Sequence, residues 1–220
     1  MGTHTAFDID HYKLLAKYLT CLGINPYQNN YVSNAIVAAI LISSITIFGP
    51  TLVQLYDTIR DRDLDGIIED LPLIITGFFG VLKVVNIRSN KVRFRRLFDS
   101  VTRGWYLLQS KPEFCMLDTL SEQGGNLATL YRRTLLVFLV IFLLTPLINP
   151  ALDIIVPLNE SRPQHHLFKV NYVFLDEYEH FYIAYMHMSA ASAFVVFMIV
   201  TVDSLYITII HHACGLFAVC

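Results

Sequence analysis

The chain has 220 residues, of which 55% are hydrophobic and 15% are charged, and its mean hydropathy is +0.51. A soluble domain of this length carries more charge, so the composition indicates a membrane protein. The net charge of −2 gives no support for nucleic acid as a partner, and the four cysteines show neither zinc-site spacing nor the density of a disulfide scaffold.

Four stretches with little or no charge predict membrane-spanning helices, since a crossing takes about 20 residues. The predicted spans are 31–56, 71–87, 134–156 and 181–210. The second is interrupted by Lys83, which is close enough to one end for its long side chain to reach the headgroups, and a buried core helix stays the alternative there. We therefore predict an all-α fold, a polytopic membrane helical bundle that forms one domain over 1–220.

Two further stretches have the apolar periodicity of helices lying in the membrane interface. The first is "HYKLLAKYLTCLGI" near the N-terminus, and the second is "KVRFRRLFDSVTRGWYLLQ", which begins at Lys91. Attraction of the second to anionic inner-leaflet lipid and packing against the chain's own helices are both open. Gly124 and Gly125 then predict a break in the chain before the third span.

The distribution of lysine and arginine predicts the orientation. Nine of the sixteen basic residues fall within 88–133, whereas 57–70 and 157–180 contain two each. The positive-inside rule then makes 88–133 and the N-terminus cytoplasmic. The only acceptor for N-glycosylation, Asn159 in "NES", falls in a segment predicted to be outside, and we expect it to be glycosylated.

The stretch "HHAC" raises the question of a metal or nucleophile site. On a helix His211 and Cys214 share a face, but two ligands do not make a structural zinc site, and no orienting third group is evident for a nucleophile. We therefore predict no metal, no cofactor and no enzymatic activity. The expected place of His211 and His212 is the water boundary, with Gly215 allowing close helix packing.

Three other ionisable residues lie within or near the spans. Asp153 and Asp203 are near span ends, where a solvated or paired side chain is the favoured interpretation and an ion path the alternative. His187 lies two turns inside the fourth span, so it must be hydrogen-bonded or face a polar cavity.

The stretch "DEYEHFYIAYMHMSAASAFVVFMIVTVDSLYITIIHHACGLFAVC", Asp176 to Cys220, resembles the fourth span of insect odorant receptors. It has the tyrosine-rich start, the histidine within the span, the aspartate near the inner end and the closing H-A-C-G-L-F. Looser likenesses are Pro26-Tyr27-Gln28, Leu71-Pro72 and the basic helix leading to Trp105. The resemblance implies seven spans, of which this chain is roughly the first half, ending just after the fourth, with three more to follow.

The resemblance also implies a function. It predicts a tuning subunit of an odorant-gated cation channel in the plasma membrane of olfactory neurons, assembled with a shared co-receptor, as a heterotetramer. The ligand is a small volatile molecule in the outer half of the bundle, and the residues expected to contact it are Phe78, Phe79, Asn149, Tyr182, Tyr185 and Met186. The alternatives are a G-protein-coupled or gustatory type of chemoreceptor and a four-span transporter or scaffold, and the location of the N-terminus separates the first of these from the channel.

Overall fold

The computed structural model describes residues 5–157, 160, 162–173 and 179–219. These residues form helices and connecting turns, and the described ranges contain no strand. The α-helices are α1 (Asp10–Cys21), α2 (Asn30–Arg60), α3 (Leu64–Ser89), α4 (Lys91–Leu108), α5 (Phe114–Leu144), α6 (Ile148–Ile155) and α7 (Phe181–Val219). The predicted all-α fold is therefore confirmed.

Within the described ranges, three helical stretches are long and apolar enough to cross a membrane. They are Asn30–Arg60, Phe114–Ile155 and Phe181–Val219. They contain the predicted first and fourth spans and all but the last residue of the third. The predicted second span lies within α3, which is not among the three, so a crossing at 71–87 stays a prediction.

The end of α1 is fixed by a Schellman motif. Gly23 has a φ of 67°, its N–H donates to the Thr20 carbonyl at 3.1 Å, and the Ile24 N–H donates to the Leu19 carbonyl at 3.0 Å. A side chain at Gly23 would be strained in this left-handed conformation, and its Cβ would lie 2.8 Å from the Ser33 carbonyl oxygen. The Ser33 hydroxyl donates to the Gly23 carbonyl, so the end of α1 is attached to the first turn of α2.

The start of α3 has a conventional cap. The Asp63 carboxylate accepts a hydrogen bond at 3.1 Å from the N–H of Gly66, one of the amides that a helix cannot satisfy internally. Both α2 and α3 also contain a proline without interruption, because α2 continues through Pro50 and α3 through Pro72.

The predicted break at Gly124 and Gly125 is wrong, because both residues lie inside the continuous helix α5. A Cβ at Gly124 would lie 2.6 Å from the Cβ of His211, so this glycine allows α5 to approach α7 closely. Gly215 does the same on α7, where a Cβ would lie 2.7 Å from a methyl group of Leu117. The cost of a glycine within a helix, about 1 kcal/mol, is small enough to be offset by such packing.

The structure divides into two compact units. The first consists of Met1–Ile40, Leu82–Thr134 and Met198–Cys220, and the second of Leu41–Val81 and Leu135–Phe197. The four long helices α2, α3, α5 and α7 each contribute residues to both. The small helices α1 and α4 belong entirely to the first unit.

The apolar faces of α1 and α4 are buried within the first unit. The buried side chains are Tyr12, Leu15 and Leu19 of α1 and Phe98, Val101 and Trp105 of α4. Packing against the chain's own helices therefore accounts for these two apolar stripes. The charged face of α4 is not part of that packing and needs a separate explanation.

Candidate ligand-binding site

The second unit contains an apolar cleft of about 270 Å³. Four helices, α2, α3, α5 and α7, provide its walls, together with one residue from the chain that follows α6. The lining includes Phe48, Gly77, Leu139, Phe142, Phe168 and Ala191. Such a concave, apolar site is the usual form of a small-molecule pocket, and its volume is near the lower end of the range for such pockets.

The hydroxyl groups of Thr51 and Ser192 at the cleft are engaged by their own helices. Thr51 donates to backbone carbonyls one turn earlier, at 3.0 and 3.1 Å, and Ser192 donates to the Met188 carbonyl at 2.9 Å. These bonds leave methyl, methylene and aromatic groups as the main surface offered to a ligand. The cleft therefore favours apolar molecules, held by shape and dispersion.

Gly77 gives one wall its shape. A Cβ at this position would lie 2.8 Å from Cε1 and 2.9 Å from Cζ of Phe48, distances that real Cβ atoms do not show. The absent side chain lets the Phe48 ring lie directly against the backbone of α3. An alanine at position 77 would push the ring away and change the space available to a ligand.

Residues 167–172, which we call the strap, pack against α7. Val170 is buried with Ala184 and Met188, and Leu167, Phe168 and Tyr172 pack around this small core. Phe168 also lines the cleft. The strap therefore connects the packing of the second unit to the shape of the cleft.

Hydrogen bonds from Asn171 and Tyr172 hold the strap against α2 and α7. The N–H of Asn171 donates to the Pro50 carbonyl at 3.3 Å, and its side-chain amide donates to the Asp57 carboxylate at 2.6 Å. A hydrogen bond of 2.6 Å joins the Tyr172 hydroxyl and Nδ1 of His187. The requirement that His187 be hydrogen-bonded is thus met by the strap.

All six predicted ligand contacts lie outside the lining of the cleft. Four side chains are more than half exposed, those of Phe78, Phe79, Tyr182 and Met186. Tyr185 donates its hydroxyl to the Leu143 carbonyl at 2.9 Å, and Asn149 donates to the Pro163 carbonyl at 2.7 Å. The two remaining predicted contacts are therefore engaged within the protein, and none of the six lines the cleft.

An ion pair joins α6 to the segment that follows it. Asp153 accepts from the Arg162 guanidinium at 2.5 Å and from the Arg162 N–H at 3.0 Å, so this carboxylate is paired, as expected of a residue at a span end. The predicted glycosylation site, Asn159, lies outside the described residues.

In the first unit, His212 is buried in what we call the His212 cluster, which consists of Tyr12, Trp105, Ser121 and His212. The imidazole is 2% exposed, so its predicted place at the water boundary is wrong. Its Nδ1 is 2.9 Å from the Tyr12 hydroxyl and 3.5 Å from that of Ser121, and its ring stacks on Trp105 at 25°. Burial raises the pKa of Tyr12 to about 12, so its hydroxyl stays protonated and can donate to the imidazole.

Two other residues of the "HHAC" stretch, His211 and Cys214, do not belong to the His212 cluster. Nδ1 of His211 bonds the Ile207 carbonyl of its own helix at 2.9 Å, and the Cys214 thiol is exposed. The structure thus separates the two histidines, with one in a polar core and the other on its own helix backbone.

A second polar cluster of the first unit joins α3, α5 and α7. Nζ of Lys83 is 2.5 Å from one oxygen of Asp203, and the Tyr131 hydroxyl donates to the other oxygen at 2.9 Å. Asp203 is therefore a paired residue, in agreement with the favoured interpretation. Lys83, the one charge within the predicted second span, is neutralised by this pair.

The comparisons with known proteins agree with this all-helical, apolar architecture. The family model described as 7tm odorant receptor matches residues 63–220. The chain belongs to the 7tm odorant receptor family. Comparison with curated proteins and with solved structures gave no match.

Family membership gives this receptor a chemosensory role in a membrane. The matched region contains the strap and the α3, α5 and α7 walls of the cleft, whereas the α2 wall precedes it. The resemblance of Asp176–Cys220 to odorant receptors is confirmed at the level of the family. The family consists of receptors and not of enzymes.

Sequence reasoning missed the receptor's strap and its cleft. Aromatic and thioether side chains on the outer halves of the spans were selected by residue type, but the cleft is lined mainly by aliphatic and small residues on the opposing helix faces. Gly77 is a sequence feature that could have indicated the cleft. A glycine inside a helix often marks a position where another group lies against the helix backbone, as the Phe48 ring does here. The strap follows no periodic pattern, so only the long-range bonds of Asn171 and Tyr172 reveal it.

Proposed function

We propose that this receptor is the tuning subunit of an odorant-gated cation channel and that small, mainly apolar volatile molecules bind in the cleft of the second unit. In this proposal it acts in the plasma membrane of olfactory neurons, together with a shared co-receptor in a heterotetramer. The observation that carries the ligand assignment is the apolar lining of the cleft, with the hydroxyls of Thr51 and Ser192 already engaged.

The chemistry of the lining selects the class of ligand. A molecule that enters the cleft gains from the burial of its apolar surface, by roughly 25 cal/mol for each Å² removed from water. Among the lining side chains a polar group on the ligand would find few partners, such as the Thr76 hydroxyl, so each further polar group would lose its water at a cost in free energy. The cleft of about 270 Å³ therefore suits compact hydrocarbons, esters and similar volatiles with one weak polar group.

The proposed gating follows from differential affinity. A ligand shifts a closed–open equilibrium only if it binds one state more tightly than the other. Phe168 of the strap contacts the ligand in this proposal, and Tyr172 and Asn171 connect the strap to α7 and α2. A change in the position of the strap would thus alter ligand affinity and helix packing together.

A competing ligand site is the set of exposed rings of Phe78, Phe79 and Tyr182, which we call the exposed aromatic surface. Phe181 stacks on Tyr185 at 13° and packs edge-on against Tyr182, so these rings form one cluster on α7. The originally expected contacts, Phe78, Phe79, Asn149, Tyr182, Tyr185 and Met186, remain proposed contacts if the ligand binds outside the cleft. Substitutions at the two places separate these alternatives.

We also propose a cytoplasmic N-terminus, with the segment 88–133 on the same side. The nine-to-two excess of basic residues over each flanking loop supports this orientation. An N-terminal epitope tag should be labelled by antibody only after the cells are permeabilised. Labelling of intact cells would instead favour the G-protein-coupled type of receptor.

The proposed function is tested by expressing the complete reading frame that contains this chain together with an odorant receptor co-receptor. We expect some members of a panel of short volatile esters, alcohols and ketones to evoke cation currents. Cells with the co-receptor alone give the background response to the same panel. Receptor present at the cell surface without a current above that background, across the panel, would reject the proposal.

A further inference from the structure

The outward face of α4 carries four exposed arginines. The opposite face of the helix is buried through Phe98, Val101 and Trp105. The exposed basic side chains are those of Arg93, Arg95, Arg96 and Arg103, which we call the basic surface. An exposed helix face of one charge attracts an oppositely charged partner.

Carboxylates do not neutralise the basic surface. The segment 88–103 contains six basic residues and one acid, Asp99, whose carboxylate accepts a hydrogen bond from the Tyr27 hydroxyl at 2.7 Å. Arg93 bonds the Asn90 side chain, and Arg95 lies 5.6 Å from the centre of the Tyr27 ring. None of the ion pairs found in the described part of the chain includes an arginine of α4.

The charges of this region act on one another. Burial lowers the pKa of Lys91, and the positive charges of Arg88 and Arg95 lower it further. Neighbouring cations thus create a positive potential at the start of α4, and within 88–103 a single carboxylate, that of Asp99, stands against six basic residues. An external anion would relieve this repulsion.

The start of α4 is attached to the end of a membrane-capable helix. Nζ of Lys91 donates to the Gln28 carbonyl and to the Asn30 side chain, both at 2.7 Å, and Asn30 is the first residue of α2. The Arg88 guanidinium donates a hydrogen bond to the side chain of Asn34, which lies near the start of α2. α2 is long and apolar enough to cross a membrane, and a crossing by α2 would bring its first turn and the attached end of α4 to the membrane–water boundary.

Apolar side chains are interspersed among the arginines. Val92 is 64% exposed and Leu107 is 65% exposed, and Tyr106 is also exposed. A helix face that combines arginines with exposed apolar and aromatic groups is typical of contact with a lipid surface, where the apolar groups enter the headgroup region. A soluble acidic segment would leave those side chains in water.

We propose that the basic surface of α4 binds the phosphate headgroups of anionic phospholipids. The arginines supply charge-assisted and bidentate hydrogen bonds to phosphate oxygens, and Val92, Tyr106 and Leu107 contact the glycerol and upper acyl region. This proposal does not depend on the identity of the odorant or on the ligand site.

Energy transfer from tryptophan tests the proposal directly, since the chain has a single tryptophan, Trp105, on α4 itself. The chain is reconstituted in phosphatidylcholine vesicles that contain a small fraction of dansyl-labelled phosphatidylserine or dansyl-labelled phosphatidylcholine. We expect about two- to fivefold more transfer to the anionic probe at low salt, and equal transfer to both probes at high salt.

Matched variants identify the arginines responsible. The preference for dansyl-phosphatidylserine should be lost in Arg93→Gln/Arg96→Gln/Arg103→Gln and kept in Arg93→Lys/Arg96→Lys/Arg103→Lys, which retains the charges and reports on folding. A control with the same loss of charge elsewhere, Arg60→Gln/Arg62→Gln/Lys169→Gln, should also keep it.

Two results would overturn the proposal. The first is equal transfer to both probes at low salt in the unmodified chain. The second is a preference that the glutamine variant retains. If both probes give equal transfer and the glutamine variant weakens the binding of soluble polyglutamate, the basic surface binds an acidic protein segment. The lipid assignment is then wrong.

Discussion

The two units of the receptor are stabilised by different kinds of contact. The first unit contains two polar clusters, around His212 and around Asp203, in which buried or half-buried groups are paired across three or more helices. The second unit contains an apolar cleft in which two of the lining hydroxyls, those of Thr51 and Ser192, donate to their own helices. Directional bonds fix one arrangement of helices, whereas apolar contacts depend on shape and can accommodate a ligand. The comparison therefore predicts that substitutions in the first unit act mainly on stability, and those in the second act mainly on ligand response.

The largest effect is expected for His212→Ala. It removes a buried ring that stacks on Trp105 and takes one partner from the Tyr12 hydroxyl, so the free energy of unfolding should fall by about 3 kcal/mol. Unfolding of the purified protein in mixed detergent micelles by increasing sodium dodecyl sulfate gives this value. The matched control is His211→Ala, because His211 bonds only its own helix and should lose less than about 1 kcal/mol. Equal losses for the two histidines would contradict the proposed role of the His212 cluster.

A smaller loss is expected for Asp203→Ala. The substitution leaves Lys83 and the Tyr131 hydroxyl without their partner, which should cost about 2 kcal/mol for a pair that retains some exposure. The same micelle unfolding experiment measures it. The double variant Lys83→Met/Asp203→Leu removes both charges and should lie within about 1 kcal/mol of the unmodified protein. A double variant as unstable as Asp203→Ala would show that the charges themselves are required.

In the second unit, Phe168→Ala should change ligand selectivity. Removal of the ring enlarges the cleft, so small odorants lose contact surface and should require about 5- to 30-fold higher concentrations, equivalent to about 1–2 kcal/mol. Longer members of the same homologous series should gain relative to the short ones. Dose–response curves of the co-expressed channel provide the measurement, and Val173→Ala, an exposed position just beyond the strap, serves as the control. A parallel shift for all chain lengths would contradict a role for Phe168 in cleft size.

The smallest effect is expected for Tyr172→Phe. The variant keeps the ring and removes the hydroxyl that is hydrogen-bonded to His187, so apparent odorant affinity should fall by about 1 kcal/mol, or roughly fivefold. Tyr182→Phe removes a hydroxyl from an exposed ring and should change little. If Tyr172→Phe leaves the dose response unchanged, the strap does not need this bond to hold Phe168 at the cleft.

The regular parts of the fold could be predicted from the sequence. Spans 31–56 and 181–210 are uncharged or nearly so for many turns, and α1 and α4 show a clear helical period, so local pattern alone determines them. The break at Gly124 and Gly125 was predicted incorrectly, since local propensity favours interruption there while close contact with His211 favours a continuous helix. Tertiary packing decided between the two.

The candidate site was less predictable because its parts are distant in sequence. His187 was recognised as needing a partner, but nothing local indicates Tyr172, which lies in a segment without periodicity. Likewise His212 is paired with Tyr12, 200 residues earlier in the chain. Long-range hydrogen bonds of this kind leave no trace in hydrophobic period or charge balance. Residue type alone suggested the exposed rings of Phe78 and Tyr182, which stay proposed contacts.

The central claim, that the cleft binds the odorant, is tested most directly by comparing Ala191→Leu with Tyr182→Ala in the co-expressed channel. Ala191 lines the cleft, whereas Tyr182 belongs to the exposed aromatic surface. With surface expression matched, we expect Ala191→Leu to shift the preferred odorant to shorter members of a homologous series, and Tyr182→Ala to leave the preference unchanged. A shifted preference for Tyr182→Ala and an unchanged preference for Ala191→Leu would contradict the claim and assign the ligand to the exposed surface.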